Sequence, residues 1–270
     1  MQRAFEIGSE VRGRSFYGAT ALQCLMLCAH GRLDEAQVIA TGLCEQYETF
    51  GDPDVGVASD FAHVMVYSLR GNVPAAIHAG NHMMDTFPPP ETVTDPTHFL
   101  HPRVLCFMAL GEAMRGDREA MRHYAQRAMD LAQSRGDVFN ILAAKLVLVE
   151  CAAILGDVSG TAAAADAVEQ EFAAAGGHQW GAAAKIISIW AEVLDSGAGD
   201  ATAAFDAFDV LTSDGTCAMN ALFLGLLADI EMHYGRDEHA RELLTRAQTL
   251  AETTGEHAWD AMISRRVAAV

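Results

Sequence analysis

Two residues carry the sharpest chemical signal in this chain. They are Lys145 and Lys185, the only lysines among 270 residues. They stand 40 residues apart, each midway along an apolar stretch, 142–149 and 182–189. A charged group in such surroundings is costly unless it is paired or solvated. If the two stretches are neighbouring helices, roughly 10 Å apart, both ammonium groups can face one anionic ligand, such as a peptide carboxylate or a phosphate. The competing reading has each stem lie along apolar surface with its head in water, or pair with a nearby acid such as Glu150 or Glu192. Other polar residues interrupt apolar stretches in the same way: Asp60, His63, Tyr67, Arg103, Asn140, Asn220 and Asp229. Buried polar groups need partners, so these bond one another or face a groove. The binding groove expected from the sequence contains Lys145, Lys185, Asn140, Arg103, Tyr67, Asn220 and Asp229. Glu150 and Asp229 each stand six residues before a turn glycine and are expected to share an acidic row along it.

The remaining candidates for chemistry are sparse. The chain has no phosphate-cradling GxxxxGK[ST], no HExxH and no GxSxG. His78 and His82 share a helix face at metal-ligand spacing, but no third ligand accompanies them. His98 and His101 flank a proline-rich segment and are expected to help start a helix. Glu169 and Glu171 read as a solvated face, and Trp180, Trp190 and Trp259 as core or interface. No catalytic residue, metal or cofactor is therefore expected, and the chain reads as a non-enzyme. The six cysteines form no CxxC pair, and Cys24 and Cys28 share one helix face. They read as small buried hydrophobes of a cytoplasmic protein. A formal net charge of −18 repels phosphates, so direct nucleic-acid binding is not expected. No run of eighteen uninterrupted apolar residues occurs, so no membrane span is expected.

The elements that must position these residues are repeated. Gly31, Gly71, Gly116, Gly156, Gly199 and Gly235 recur about every 40 residues, and Gly51, Gly136, Gly177, Gly215 and Gly255 interleave with them. Glycine accepts the left-handed conformation that ends a helix, and the Asp or Asn that often follows can cap the next one. Helices are expected over 2–11, 15–30, 33–49, 54–70, 74–87, 99–115, 118–134, 138–155, 160–175, 179–195, 200–213, 217–234, 237–253 and 257–269. The first helix of each pair is the more apolar and the second more amphipathic, so the first should line an inner layer. Three successive prolines, Pro88 to Pro90, place an irregular loop over 87–96. Strand signals are nearly absent. The expected fold is all-α: one domain over 1–270, an α-solenoid of about six helix–turn–helix units wound into a right-handed superhelix. Residues 2–11 lack an inner partner and 257–269 an outer one. That pattern predicts a fragment of a longer protein, able to oligomerise through open ends.

The last full unit carries tetratricopeptide-repeat spacing, with Leu227 and Ala228, the turn at Gly235, then Ala240, Leu244 and Ala247. Ala36, Ala40 and Leu43 repeat the scheme, as do Met121, Ala125 and Ala128. Nearly the whole chain resembles the C-terminal TPR-like region of bacterial, especially actinobacterial, multidomain regulators, in which it follows a STAND/AAA-type ATPase. Some relatives carry a nucleotide cyclase domain and others a LuxR-type DNA-binding domain. The resemblance rests on 51–55 (GDPDV), His101-Pro102, Arg115-Gly116-Asp117 and the closing stretch 251–259. It implies a signal-sensing, protein-interaction module that takes part in transcriptional regulation. Such a module binds a peptide or partner domain in its concave groove, the partner being an attached or separate ATPase or regulatory domain. The alternative is a receptor for a small-molecule inducer held in the superhelix. The proline-rich loop departs from the family pattern.

Overall fold

The computed structural model describes residues 14–91, 94–95 and 97–270. The helix expected over 2–11 lies outside them. Among the described residues there are thirteen α-helices and no strand. They are α1 (Arg14–Ala29), α2 (Leu33–Phe50), α3 (Pro53–Leu69), α4 (Val73–Thr86), α5 (Leu100–Arg115), α6 (Arg118–Ser134) and α7 (Val138–Leu155). There follow α8 (Thr161–Ala174), α9 (His178–Ser196), α10 (Ala201–Thr212), α11 (Asn220–His233), α12 (Asp237–Thr254), a 3-10 turn His257–Trp259 and α13 (Asp260–Val267). Consecutive helices pack on one another, and each odd-numbered helix also packs on the next odd-numbered one. The odd helices therefore form an inner layer and the even ones an outer layer, as in an α-solenoid.

Local chemistry explains the boundaries. Asp52, Asn72, Asp117, Asp137 and Asp200 each accept a backbone N–H of the helix they precede, which satisfies donors that the first turn leaves free. The left-handed glycines that end α8 and α9 are Gly176 and Gly197, one and two residues before the expected Gly177 and Gly199. Gly199 serves another purpose: a Cβ there would lie 2.6 Å from Val193 Cγ2 and 2.9 Å from the Ile189 carbonyl oxygen. The proline-rich loop is anchored at its start. Phe87 is buried against Tyr47 and His82, and its carbonyl accepts from His101 Nε2 at 3.0 Å. Burial holds the His101 pKa down at about 4, so the imidazole is a neutral tie between loop and α5. This is its role in addition to standing at a helix start.

Helix α7 is a core helix despite its composition. Its eighteen residues have a mean hydropathy of 2.1, enough by length and composition to cross a membrane, and 56% of it is buried. Asn140, Lys145 and Glu150 interrupt its apolar run. Its apolar residues feed two cores. Ala144, Val147 and Cys151 pack with α1 to α6. Leu142, Leu146 and Val149 pack with α8 to α13. A helix covered on several sides in this way is apolar all round.

The array curves until its described ends meet. The backbone N–H groups of Cys217 and Ala218 both donate to the Ala29 carbonyl, at 2.7 and 3.0 Å. A Cβ on Gly31 would stand 2.5 Å from Thr254 Cγ2, and one on Gly71 would stand 3.1 Å from the His257 carbonyl oxygen. Both glycines have positive φ, so conformation and close approach together require glycine there. Glu256 holds the other side of this seam. Its Oε1 accepts from the Met219 N–H at 2.8 Å and from Trp259 Nε1 at 2.5 Å. Met219, at φ 65°, has a backbone conformation that side-chain-bearing residues avoid, and the Glu256 bond keeps it there.

Candidate ligand pocket

Closure of the array encloses a hollow among the inner helices. Its wall takes Leu25 and Cys28 from α1 and Met65 and Leu69 from α3. It takes Arg103 and Phe107 from α5, and Phe139, Ala143 and Glu150 from α7. Trp180 and Ala183 come from α9 and Phe223 from α11. Space for the centres of water molecules amounts to about 90 Å³, several times the roughly 10–15 Å³ that one water needs. Phe139 is 52% exposed and Trp180 40% exposed, so these two aromatic rings form the rim where the hollow opens.

Two charged side chains interrupt the apolar wall. Arg103 is 9% exposed. Its guanidinium carbon sits 5.1 Å from the centre of the Phe139 ring, in cation–π contact. Its Nε is buried without a hydrogen-bond partner, and among the described residues no carboxylate lies within ion-pair distance. Burial lowers the Arg103 pKa from its usual value, and the charges of Cys106, Glu150 and Asp137 raise it in return. Glu150 is 3% exposed and accepts no hydrogen bond. Burial pushes its pKa up to about 8, against the pull of Arg103. At neutral pH it is therefore largely a carboxylic acid. Asp137 is occupied elsewhere: its carboxylate accepts from the Asn140 N–H and Nδ2 and lies 3.4 Å from His98 Nε2.

The seven residues expected in a groove separate into distinct roles. Arg103 alone of them lines the hollow. Asn140 completes the α7 cap by donating from Nδ2 to Asp137, and Asn220 Nδ2 donates to the Thr216 carbonyl at 2.7 Å. Asn140 Oδ1 and Asn220 Oδ1 are buried without a bond. Tyr67 is half-buried beside the His63 ring, with centroids 5.3 Å apart. Asp229 Oδ2 accepts from Trp190 Nε1 at 3.0 Å, and its two oxygens take Arg266 Nε at 2.8 Å and Nη2 at 2.6 Å. Glu150 is in the pocket and Asp229 in this tie, so the two do not form one row. His82 Nδ1 lies 2.7 Å from Asp60 Oδ2.

The two lysines turn away from the hollow and converge on the outer helix between their own. Lys145 Nζ donates to Glu171 Oε1 and Oε2 at 2.7 and 2.6 Å. Lys185 Nζ lies 3.3 Å from Glu169 Oε2. The 40-residue spacing thus places them on either side of α8, paired with the two glutamates that read as a solvated face. All four side chains are about one-third to two-fifths exposed, so each pair is worth about 0–1 kcal/mol. Lys145→Met should move the unfolding midpoint in urea by no more than that amount corresponds to. A loss above about 2 kcal/mol would mean a buried pair instead. Sequence spacing pointed at the lysines because they are rare. The more telling pair, Arg103 with Glu150, is 47 residues apart on helices two elements removed, and only packing brings them to one cavity.

The fold and pocket define an all-α helical repeat array with a central hollow. No family model, curated protein or solved structure matches the chain.

Proposed function

We propose that the chain is a small-molecule-sensing module of a regulatory protein, with the ligand held in the hollow ringed by α1, α3, α5, α7, α9 and α11. The observation that carries this reading is the pairing of a mostly apolar cavity with two charged-type side chains in its wall, Glu150 and Arg103, the second with a buried Nε that has no partner. Buried polar groups are otherwise satisfied as a rule, and binding sites combine apolar walls with a few convergent polar groups. A peptide laid along the concave face would need an open channel, whereas this hollow is bounded by the seam between 29–31 and 215–218. The module acts in the cytoplasm, is not itself catalytic, and passes its signal to an attached or separate ATPase or regulatory domain. A ligand that touches both the α1–α5 and α7–α11 walls favours the closed array over an open one, and that differential affinity is the signal.

Thermal-shift screening of the chain against a library of cell metabolites tests this. A ligand at 100 times its Kd contributes about 2.7 kcal/mol, which is a rise of roughly 5–10 °C for a protein of this size. Ala143→Phe, which fills the hollow from the α7 wall, should abolish the rise. A rise that persists in Ala143→Phe would place binding elsewhere. A screen that stabilises nothing, while a partner domain forms a stable complex, would favour the protein-interaction reading.

A further inference from the structure

We infer that the hollow takes a small organic monoanion: a carboxylate or sulfonate headgroup against Arg103, with Glu150 beside it, carrying a hydrocarbon or aromatic body that fills the space toward Phe107, Phe223 and the Phe139–Trp180 rim. This assignment rests on the hollow being a ligand site, and adds what occupies it.

Three features of the wall lead there. Arg103 brings a guanidinium fork into a largely apolar space, and among the described residues no acid makes ion-pair contact with it. A fork of this kind matches the two oxygens of a carboxylate. Glu150, which lines the same hollow, is largely protonated at neutral pH, so it leaves the Arg103 charge largely uncancelled and offers an O–H to a second acceptor oxygen. Asp137 is engaged by Asn140 and cannot serve as the counter-ion. The site thus carries a net positive charge and one extra donor, the complement of an anionic acceptor group. Most of the remaining wall is apolar: Leu25, Met65, Phe107, Ala143, Leu146 and Phe223 offer no side-chain donor or acceptor, and the other polar side chains are Thr216, the Trp180 indole and the thiols of Cys28 and Cys106. A sugar, a nucleotide or a polar peptide would leave many of its own polar groups unpaired against that wall. An apolar acid needs one polar contact cluster and a greasy sleeve, which is what the hollow supplies.

The experiment uses two fluorescent probes of nearly the same shape on the purified chain: 8-anilinonaphthalene-1-sulfonate, an aromatic anion, and N-phenyl-1-naphthylamine, its uncharged counterpart. The anion should bind one to one and at least tenfold more tightly than the neutral probe, a preference in the range of a charge-assisted hydrogen bond. Decanoate should displace it, and decanol at equal concentration should not. Arg103→Met should weaken the anion about tenfold to a hundredfold and erase the preference, and Arg103→Lys, which keeps the charge but not the fork, should fall between. The wild-type displacement by decanoate against decanol needs no variant to fold. Equal binding of the two probes, or equal displacement by acid and alcohol, would overturn the anionic class while leaving a ligand pocket in place. Binding of neither probe, or binding of both unchanged in Ala143→Phe, would remove the pocket itself.

Discussion

Glu150→Gln raises the unfolding midpoint of this protein at pH 9 and leaves it nearly unchanged at pH 5. The cause is the burial of Glu150, 3% exposed and unbonded, which raises its pKa from 4.5 to about 8 in the folded chain. Below about 4.5 the side chain is protonated whether the chain is folded or not, and glutamine is nearly its isostere. Between about 4.5 and 8 the unfolded chain gives up the proton while the folded one keeps it. The folded state then binds more protons, so stability falls as pH rises, with a slope approaching about 1.4 kcal/mol per pH unit. Above about 8 both states are ionised and the loss is complete, on the order of a few kcal/mol. Glu256 at the seam, raised by burial to about 7, adds a loss of the same sign over a narrower window. Urea unfolding from pH 5 to 9 should therefore show the wild type weakening steadily and Glu150→Gln weakening less, with the two curves parting mainly between pH 5 and 8. Curves that stay parallel across that range would mean that the Glu150 carboxylate reaches water in the folded protein.

The second large effect belongs to Asp229. Its carboxylate binds Trp190 of α9 and Arg266 of α13 from its own place on α11. Three successive inner helices are pinned at one residue, and the Asp229 and Arg266 side chains are each only 15% exposed. Asp229→Ala strands a nearly buried guanidinium and the N–H of a tryptophan that is 1% exposed. Removing one partner of a buried ion pair costs about 3–5 kcal/mol. At about 2–4 °C per kcal/mol for a chain of this length, the midpoint should fall on the order of 10 °C. Amide exchange should quicken first in α13, the helix that loses its tie. The double change Asp229→Ala with Arg266→Met removes the stranded charge and should recover part of the loss. A double variant as unstable as the single one would show that the charge pair is not what Asp229 contributes.

These two residues illustrate what the chain's order of amino acids could and could not disclose. Asp229 and Glu150 look alike in one dimension: each is an acid in an apolar helix, six residues before a turn glycine. In space one is a structural knot and the other an unbonded wall group. The difference lies in Arg266 and Trp190, which are 37 and 39 residues away from Asp229 and reach it only because α9, α11 and α13 are stacked. The lysines carry the same lesson in reverse. Their rarity and one-repeat spacing marked them for a groove, yet their partners are the half-buried Glu169 and Glu171 of the outer helix. Side chains at 145 and 185 point to the outer layer, whereas 143, 147 and 183 point to the hollow, and a helix turns by about 100° per residue.

What the sequence determined by itself is the set of helices and their alternation. Glycines that tolerate positive φ stop the helices, Asp and Asn caps restart them, and the apolar or amphipathic face of each decides the inner or outer layer. All of those are local forces, acting within a few residues, and the helix ends they imply agree with the structure to within about three residues. What only the tertiary structure decided is where the array closes, and hence that a pocket exists. Closure depends on small rotations accumulated over every helix pair and on contacts such as Cys217 with Ala29, 188 residues apart. No short-range pattern records such a sum, so the seam, the hollow and the lone guanidinium of Arg103 become visible only when the inner helices are set side by side.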